Sequence, residues 1–297
     1  MDTHIKGLGT ALVTPFRPDG DIDFDSLGRL IDYQIEGGVD FLCVLGTTAE
    51  TATMSDDEKR QVIEYCISKI DRRVPILLGC SGNNTHALAK EISQYSKFDV
   101  DALLSVVPYY NKPTQDGIVK HYEYISGCTD KGIVMYNVPS RTGVNMTSET
   151  TLRIASDCKN VIAVKEASGN IRQVNEILKY RRSDFAVLSG DDFLAFPLMT
   201  LGADGVISVV ANSEPHLFAK MVHSLQARDM DTALGIHNSL LELYKLLFDD
   251  GNPAGIKAAL NSKGMIDNVL RLPLVPVHAE TYAKIKISED LLARFGL

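Results

Sequence analysis

The stretch VIAVKEASGN, residues 161–170, sets four apolar residues in a row, then Lys165 and Glu166, then a turn that opens an amphipathic segment at Asn170. A short, wholly apolar run bounded by turn residues reads as a strand buried on both faces, because a half-exposed strand would alternate apolar with polar. The same unit recurs along the chain. Its other apolar runs are GTALVTPF (9–16), DFLCVLG (40–46), PILLGC (75–80), ALLSVVP (102–108), GIVMYNVP (132–139), FAVLSG (185–190) and GVISVV (205–210). With VIAVKEA (161–167) they number eight.

Helical segments separate these runs. In SDDEKRQVIEYCISKI, Ser55 and Glu58 have capping-box spacing, and Val62, Ile63, Cys66 and Ile70 fall on one face. Similar segments begin near Asp25, Asn84, Thr114, Ser148, Asn170 and Glu214. Eight alternations of strand and helix argue for a parallel sheet covered by helices, and eight units close into a barrel. The predicted fold is therefore α/β, a (β/α)8 TIM barrel, with a doubly wound open sheet as the weaker alternative. Residues 1–227 are assigned to the barrel. Residues 228–297 hold helical stretches around 230–248, 253–263 and 279–295 but no convincing strand, and form a small C-terminal helical extension packed on it. The 297 residues fit one such domain.

Thirty basic against 38 acidic residues give a formal charge of −8, which argues against a nucleic-acid partner. No basic segment leads into an apolar one at the start, and no long apolar run follows, so a cytoplasmic location without a membrane partner is expected. The cysteines at 43, 66, 80, 128 and 158 lack C-x-x-C spacing and read as buried small hydrophobes. The histidines, His4 among them, show no ligand spacing, and no metal is expected.

In a barrel of this kind the functional groups gather past the C-terminal ends of the strands. Those positions carry Thr47, Thr48 and Glu50 after the second strand, Tyr109 and Tyr110 after the fourth, and Tyr136 with Arg141 at and after the fifth. Lys165 follows on the sixth, Ser189, Gly190 and Asp191 on the seventh, and Ile207 and Ser208 on the eighth. A lysine ending an apolar strand loses solvation, which favours the neutral amine and makes it a nucleophile toward a carbonyl. The resulting iminium is an electron sink, so an α proton can leave and the enamine can attack a second carbonyl. Hydroxyls at Thr48, Tyr110 and Tyr136 can both donate and accept, as a proton relay requires. The Thr47 hydroxyl and the N–H groups of 46–48 suit one carboxylate, and the fork of Arg141 suits another. The bland readings are a solvated Lys165, core tyrosines, a surface-paired Arg141 and a plain turn at GTTAE. Glu166 alternates away from Lys165 and is read as structural, and Asp191 and Asp192 as helix caps.

Five motifs, GTTAE (46–50), PYYNKP (108–113), YNVPSRTG (136–143), VKEASGN (164–170) and SGDD (189–192), closely resemble those of the dihydrodipicolinate synthase family, in order and over essentially the whole chain. The family consists of Schiff-base, class I aldolases on a (β/α)8 barrel. The resemblance implies that Lys165 binds pyruvate and that its enamine attacks L-aspartate 4-semialdehyde, with no cofactor. It also implies a relay of Thr48, Tyr110 and Tyr136, with Tyr110 serving a neighbouring subunit. Thr47 and Thr48 match the pyruvate-carboxylate loop, Arg141 the semialdehyde-binding arginine, and Gly190 and Ile207 positions at the pyruvate adduct. A homotetramer of two tight dimers is implied as well. Related N-acetylneuraminate lyases typically carry a serine before the threonine and lack the arginine, so Thr47 and Arg141 favour the synthase. Another pyruvate-dependent aldolase and a non-catalytic keto-acid-binding barrel are the competing readings. Two departures from the family matter. Ala49 replaces the glycine of GTTGE, and a positive φ there would add strain of about 1 kcal/mol. Asp56, Lys59 and Ala87 stand where lysine-inhibited members carry histidines and a glutamate, which predicts weak or absent inhibition by L-lysine.

Overall fold

The computed structural model describes residues 5–294. His4 and the first residues, on which the targeting expectation partly rests, lie outside the described range, as do the last three. Eight parallel strands follow one another in sequence order around a closed barrel. They are β1 (Gly7–Ala11), β2 (Phe41–Val44), β3 (Ile76–Gly79), β4 (Ala102–Val106), β5 (Gly132–Asn137), β6 (Val161–Glu166), β7 (Ala186–Ser189) and β8 (Gly205–Ser208). The helices are α1 (Phe24–Glu36), α2 (Asp56–Ile70), α3 (Thr85–Tyr95), α4 (Gln115–Ser126), α5 (Pro139–Thr142), α6 (Ser148–Asp157), α7 (Ile171–Tyr180), α8 (Asp192–Thr200), α9 (Pro215–Gln226), α10 (Met230–Asp249), α11 (Ala254–Ser262) and α12 (Ala279–Arg294). The (β/α)8 expectation and the C-terminal helices are both present.

The chain clusters into two compact units. In the unit holding Pro75–Ile207, β3 to β7 pair in continuous parallel register, with one irregularity between Ile133 and Val134. Its strands are almost wholly buried, as their unbroken apolar runs require. In the unit holding Leu8–Val74 and residues 208–294, Gly9, Thr10 and Ala11 of β1 pair with Phe41, Leu42 and Cys43 of β2. Side chains cap the helices where the sequence suggests. Ser55 and Glu58 form the capping box of α2, and Asn84, Thr114 and Asn170 accept from N–H groups in the first turns of α3, α4 and α7. Val62, Ile63, Cys66 and Ile70 are the buried face of α2.

Two local expectations need correction. The predicted first strand, 9–16, ends at Ala11 in the structure, because Asn212 takes over the ladder: its Nδ2 donates to the Ala11 carbonyl and its Oδ1 accepts from Val13 N–H. Pro15 has no N–H to continue it. Among the described residues the cysteines form no disulfide, and four are buried, but Cys128 is only half-buried, its Sγ donating to the Tyr124 carbonyl. No described helix is long and apolar enough to cross a membrane.

Candidate active site

In the first unit the site is built on β5 and β6. Alternation along β6 puts Val161, Ala163 and Lys165 on one face and Ile162, Val164 and Glu166 on the other. The register pairs Tyr136 with Lys165 and Asn137 with Glu166. Lys165 is only 6% exposed and Tyr136 7% exposed. The lysine Nζ lies 4.3 Å from the centre of the Tyr136 ring, within the range of a cation–π contact. Among the described residues no carboxylate pairs with this amine. Gly190, after β7, leaves room for the lysine: a Cβ there would come 3.0 Å from Lys165 Cε and 2.8 Å from Ala167 Cβ. Ile207, near the end of β8, is fully buried.

The outward partners of this pair form a second, polar layer. Glu166 is buried and accepts from Asn137 Nδ2 at 3.1 Å, Gln173 Nε2 at 3.0 Å and the Ser168 N–H at 2.8 Å. Burial raises its pKa against the pull of these three donors. Asn137 Oδ1 in turn accepts from the Met146 N–H. Facing away from Lys165 and saturated with donors, Glu166 is a structural group, as its alternation predicted.

Arg141 stands exposed in the last turn of α5, which follows β5 and ends at Gly143 in the left-handed region, φ 74°. Tyr110, by contrast, is not brought into a buried site within the chain. Its side chain is 87% exposed and its backbone holds φ at 73°, a conformation that non-glycine residues seldom adopt. Ser189 and Asp191 close the turn after β7, and Asp191 caps α8.

In the second unit, GTTAE forms a single 3-10 turn, Thr47–Ala49, directly after β2. The Gly46 carbonyl accepts from Ala49 N–H and from Thr51 Oγ1, and the Thr47 carbonyl accepts from Glu50 N–H. Among the described residues the N–H groups of Thr47 and Thr48 donate to no protein acceptor, as expected at the start of such a turn. Thr47 is exposed and Thr48 buried. The concern over Ala49 is removed by the structure: the left-handed residue is Glu50, φ 57°, and Ala49 lies inside the turn.

Residues that the sequence reading left out hold this loop. Asn252 Nδ2 donates to Thr48 Oγ1 at 3.1 Å. The Glu50 carboxylate, wholly buried, forms an ion pair with the equally buried Lys257 of α11 and accepts from the Arg271 N–H at 3.0 Å. Lys257 also donates to the Val269 carbonyl, and it and Arg271 lie 4.1 and 4.4 Å from the centre of the Phe16 ring. Burial pushes the Lys257 ammonium down to about 8, against the attraction of Glu50. Arg271 reaches on to Glu58, whose carboxyl it lowers to about 2. The one available signal was Lys257 itself, a charge set among Ala254, Ile256, Ala258, Ala259 and Leu260. Elsewhere in this unit Lys59 pairs with Asp56 at 3.1 Å, and in the other unit Ala87 sits in the first turn of α3.

A closed (β/α)8 barrel in which, among the described residues, a buried lysine without a carboxylate partner lies beside a tyrosine at a strand end fits the class of aldolase-type enzymes, and the family match places the chain in that class. The model of the Dihydrodipicolinate synthetase family matches residues 4–290. A 4-hydroxy-tetrahydrodipicolinate synthase of Parabacteroides distasonis is 54% identical over 285 residues, 96% of each chain. The crystal structure of a dihydrodipicolinate synthase from Thermotoga maritima superposes with a TM-score of 0.95 at 42% identity, covering 99% of both chains. One from Cyanidioschyzon merolae with lysine bound gives 0.93 at 35% identity, covering 97% of this chain and 99% of that one. The chain belongs to the dihydrodipicolinate synthetase family.

Proposed function

We propose that this enzyme condenses pyruvate with L-aspartate 4-semialdehyde through a Schiff base on Lys165, the reaction of a 4-hydroxy-tetrahydrodipicolinate synthase. The observation that carries the reading is the Lys165 amine, buried, without a carboxylate partner among the described residues, and in register with Tyr136. The amine adds to the keto carbon of pyruvate and water leaves, giving the iminium. A methyl proton then departs, the enamine carbon bonds to the aldehyde carbon, and the new alkoxide takes up a proton. Attack on the iminium carbon by water or by the substrate's own amine finally frees Lys165.

Each proton transfer falls to the hydroxyls of Thr48, Tyr136 and Tyr110. Thr47 and Thr48, with their unpartnered N–H groups, would hold the pyruvate carboxylate, and Arg141 the semialdehyde carboxylate. The absent side chain of Gly190 leaves the adduct space, and Ile207 supplies an apolar wall. Because the iminium is itself the electron sink, the chemistry calls for no cofactor. The exposure of Tyr110 favours its use in a second subunit's site, within a homotetramer of tight dimers in the cytoplasm. Residues 1–227 would form the barrel, with 228–297 as its appendage.

Borohydride added with pyruvate tests the mechanism: a covalent adduct is expected on the peptide containing Lys165 and none in Lys165→Ala. A silent keto-acid-binding barrel would yield no adduct. Consumption of aspartate semialdehyde, set against cleavage of N-acetylneuraminate, separates synthase from lyase. With Lys59 occupied by Asp56 and no carboxylate at Ala87, initial rates should be unaffected by micromolar L-lysine.

A further inference from the structure

Asn252 stands at the corner between α10 and α11, and its Nδ2 donates to the Thr48 hydroxyl oxygen at 3.1 Å. A primary amide nitrogen can only donate, so this contact fills one lone pair of the hydroxyl and leaves its proton to be given to something else. The second lone pair stays open to accept. A hydroxyl held in this way has one donor and one acceptor direction, which is what passing a proton along requires.

The corner that carries Asn252 is held from both sides. Gly255 packs so tightly on α10 that an added Cβ would lie 2.2 Å from the Leu247 carbonyl oxygen. Lys257, farther along α11, is tied to Glu50 and to the Val269 carbonyl. Glu50 immediately follows the turn that contains Thr48, so the same helix grips the loop at a second point. Thr48 is buried, and its β-branched side chain has few χ1 positions to choose from.

We propose that Asn252 is a positioning residue for proton transfer, holding the Thr48 hydroxyl with its proton directed away from the amide. The inference rests on the reading of Thr48 as a relay group. It makes the C-terminal helical segment a working part of the loop.

The test compares Asn252→Ala, the isosteric Asn252→Asp, Thr48→Val and the double variant Asn252→Ala/Thr48→Val, using pyruvate and aspartate semialdehyde as probes. Asn252→Ala should lower kcat about 10- to 100-fold, as a misdirected catalytic group does, while borohydride traps the pyruvate adduct to the parental extent at saturating pyruvate. Asn252→Asp should be slower still, because a carboxylate accepts the hydroxyl proton that the relay has to donate. Loss in the double variant should equal that of Thr48→Val alone, since the amide acts only through the hydroxyl. Parental kcat in Asn252→Asp, or losses that multiply in the double variant, would overturn the inference while an inactive Thr48→Val leaves the relay reading standing. A fully active Thr48→Val would overturn the relay reading and this inference with it.

Discussion

Charge placement separates two buried lysines. Lys165 lies beside a tyrosine and, among the described residues, has no carboxylate partner, whereas Lys257 is matched to Glu50 in an equally buried setting. Only the first is free to act as a nucleophile. Removing one member of a buried pair strands the other, at a cost of about 3–5 kcal/mol. Lys257→Met should therefore lower unfolding stability in urea by that amount; a loss below about 1 kcal/mol would contradict the anchoring role given to the pair. Arg141 is exposed, and its loss should be felt in substrate binding instead. A charge-assisted hydrogen bond contributes about 1.5–3 kcal/mol, so Arg141→Ala should lower kcat/KM for the semialdehyde by roughly 10- to 150-fold. Trapping of the pyruvate adduct should stay near the parental level, and equal loss of both would count against the assignment.

At the scale of elements, β5 and β6 carry an inward pair, Tyr136 and Lys165, followed directly by an outward pair, Asn137 and Glu166. A one-residue slip would exchange the two layers, so the hydrogen bonds of Glu166 also specify where the amine points. Three donors converge on that carboxylate, and an amide in its place would set an N–H group against one of them. Glu166→Gln should therefore destabilise the fold by about 1–3 kcal/mol, readable in urea unfolding. These strands were legible in the sequence because their apolar runs are continuous and their flanking caps are local. Asn84, Thr114 and Asn170 act within three residues of themselves. The same holds for Lys165, Tyr136 and the GTTAE loop, whose strand-end positions follow from counting. What was not legible depends on pairing between distant segments. Asn212 ends β1 from the far side of the sequence, and Asn252 and Lys257 reach a loop some two hundred residues earlier. α5 is too short for any periodicity to announce it.

Across the whole molecule, acid stability offers a global readout of how the C-terminal segment is fastened. Arg271 binds Glu58 at the start of α2, the Gly20 and Thr53 carbonyls and, through its own N–H, the Glu50 carboxylate. The guanidinium holds the Glu58 carboxyl down at about 2, from an ordinary value of 4.5. A carboxyl whose pKa is lower in the folded than in the unfolded state is protonated more readily once the chain unfolds, so acid favours unfolding. Its contribution is complete above about 4.5 and is lost as the pH falls through about 2. The side chains are partly exposed, so solvent and salt screen the effect. Glu58→Gln keeps the shape but cannot titrate. Its melting temperature should lie below the parent's at neutral pH and converge on it as the pH is lowered from about 4.5 toward 2. A difference that stays constant over that range would mean that Glu58 contributes through packing and hydrogen bonding alone, with no part in fastening the segment by charge.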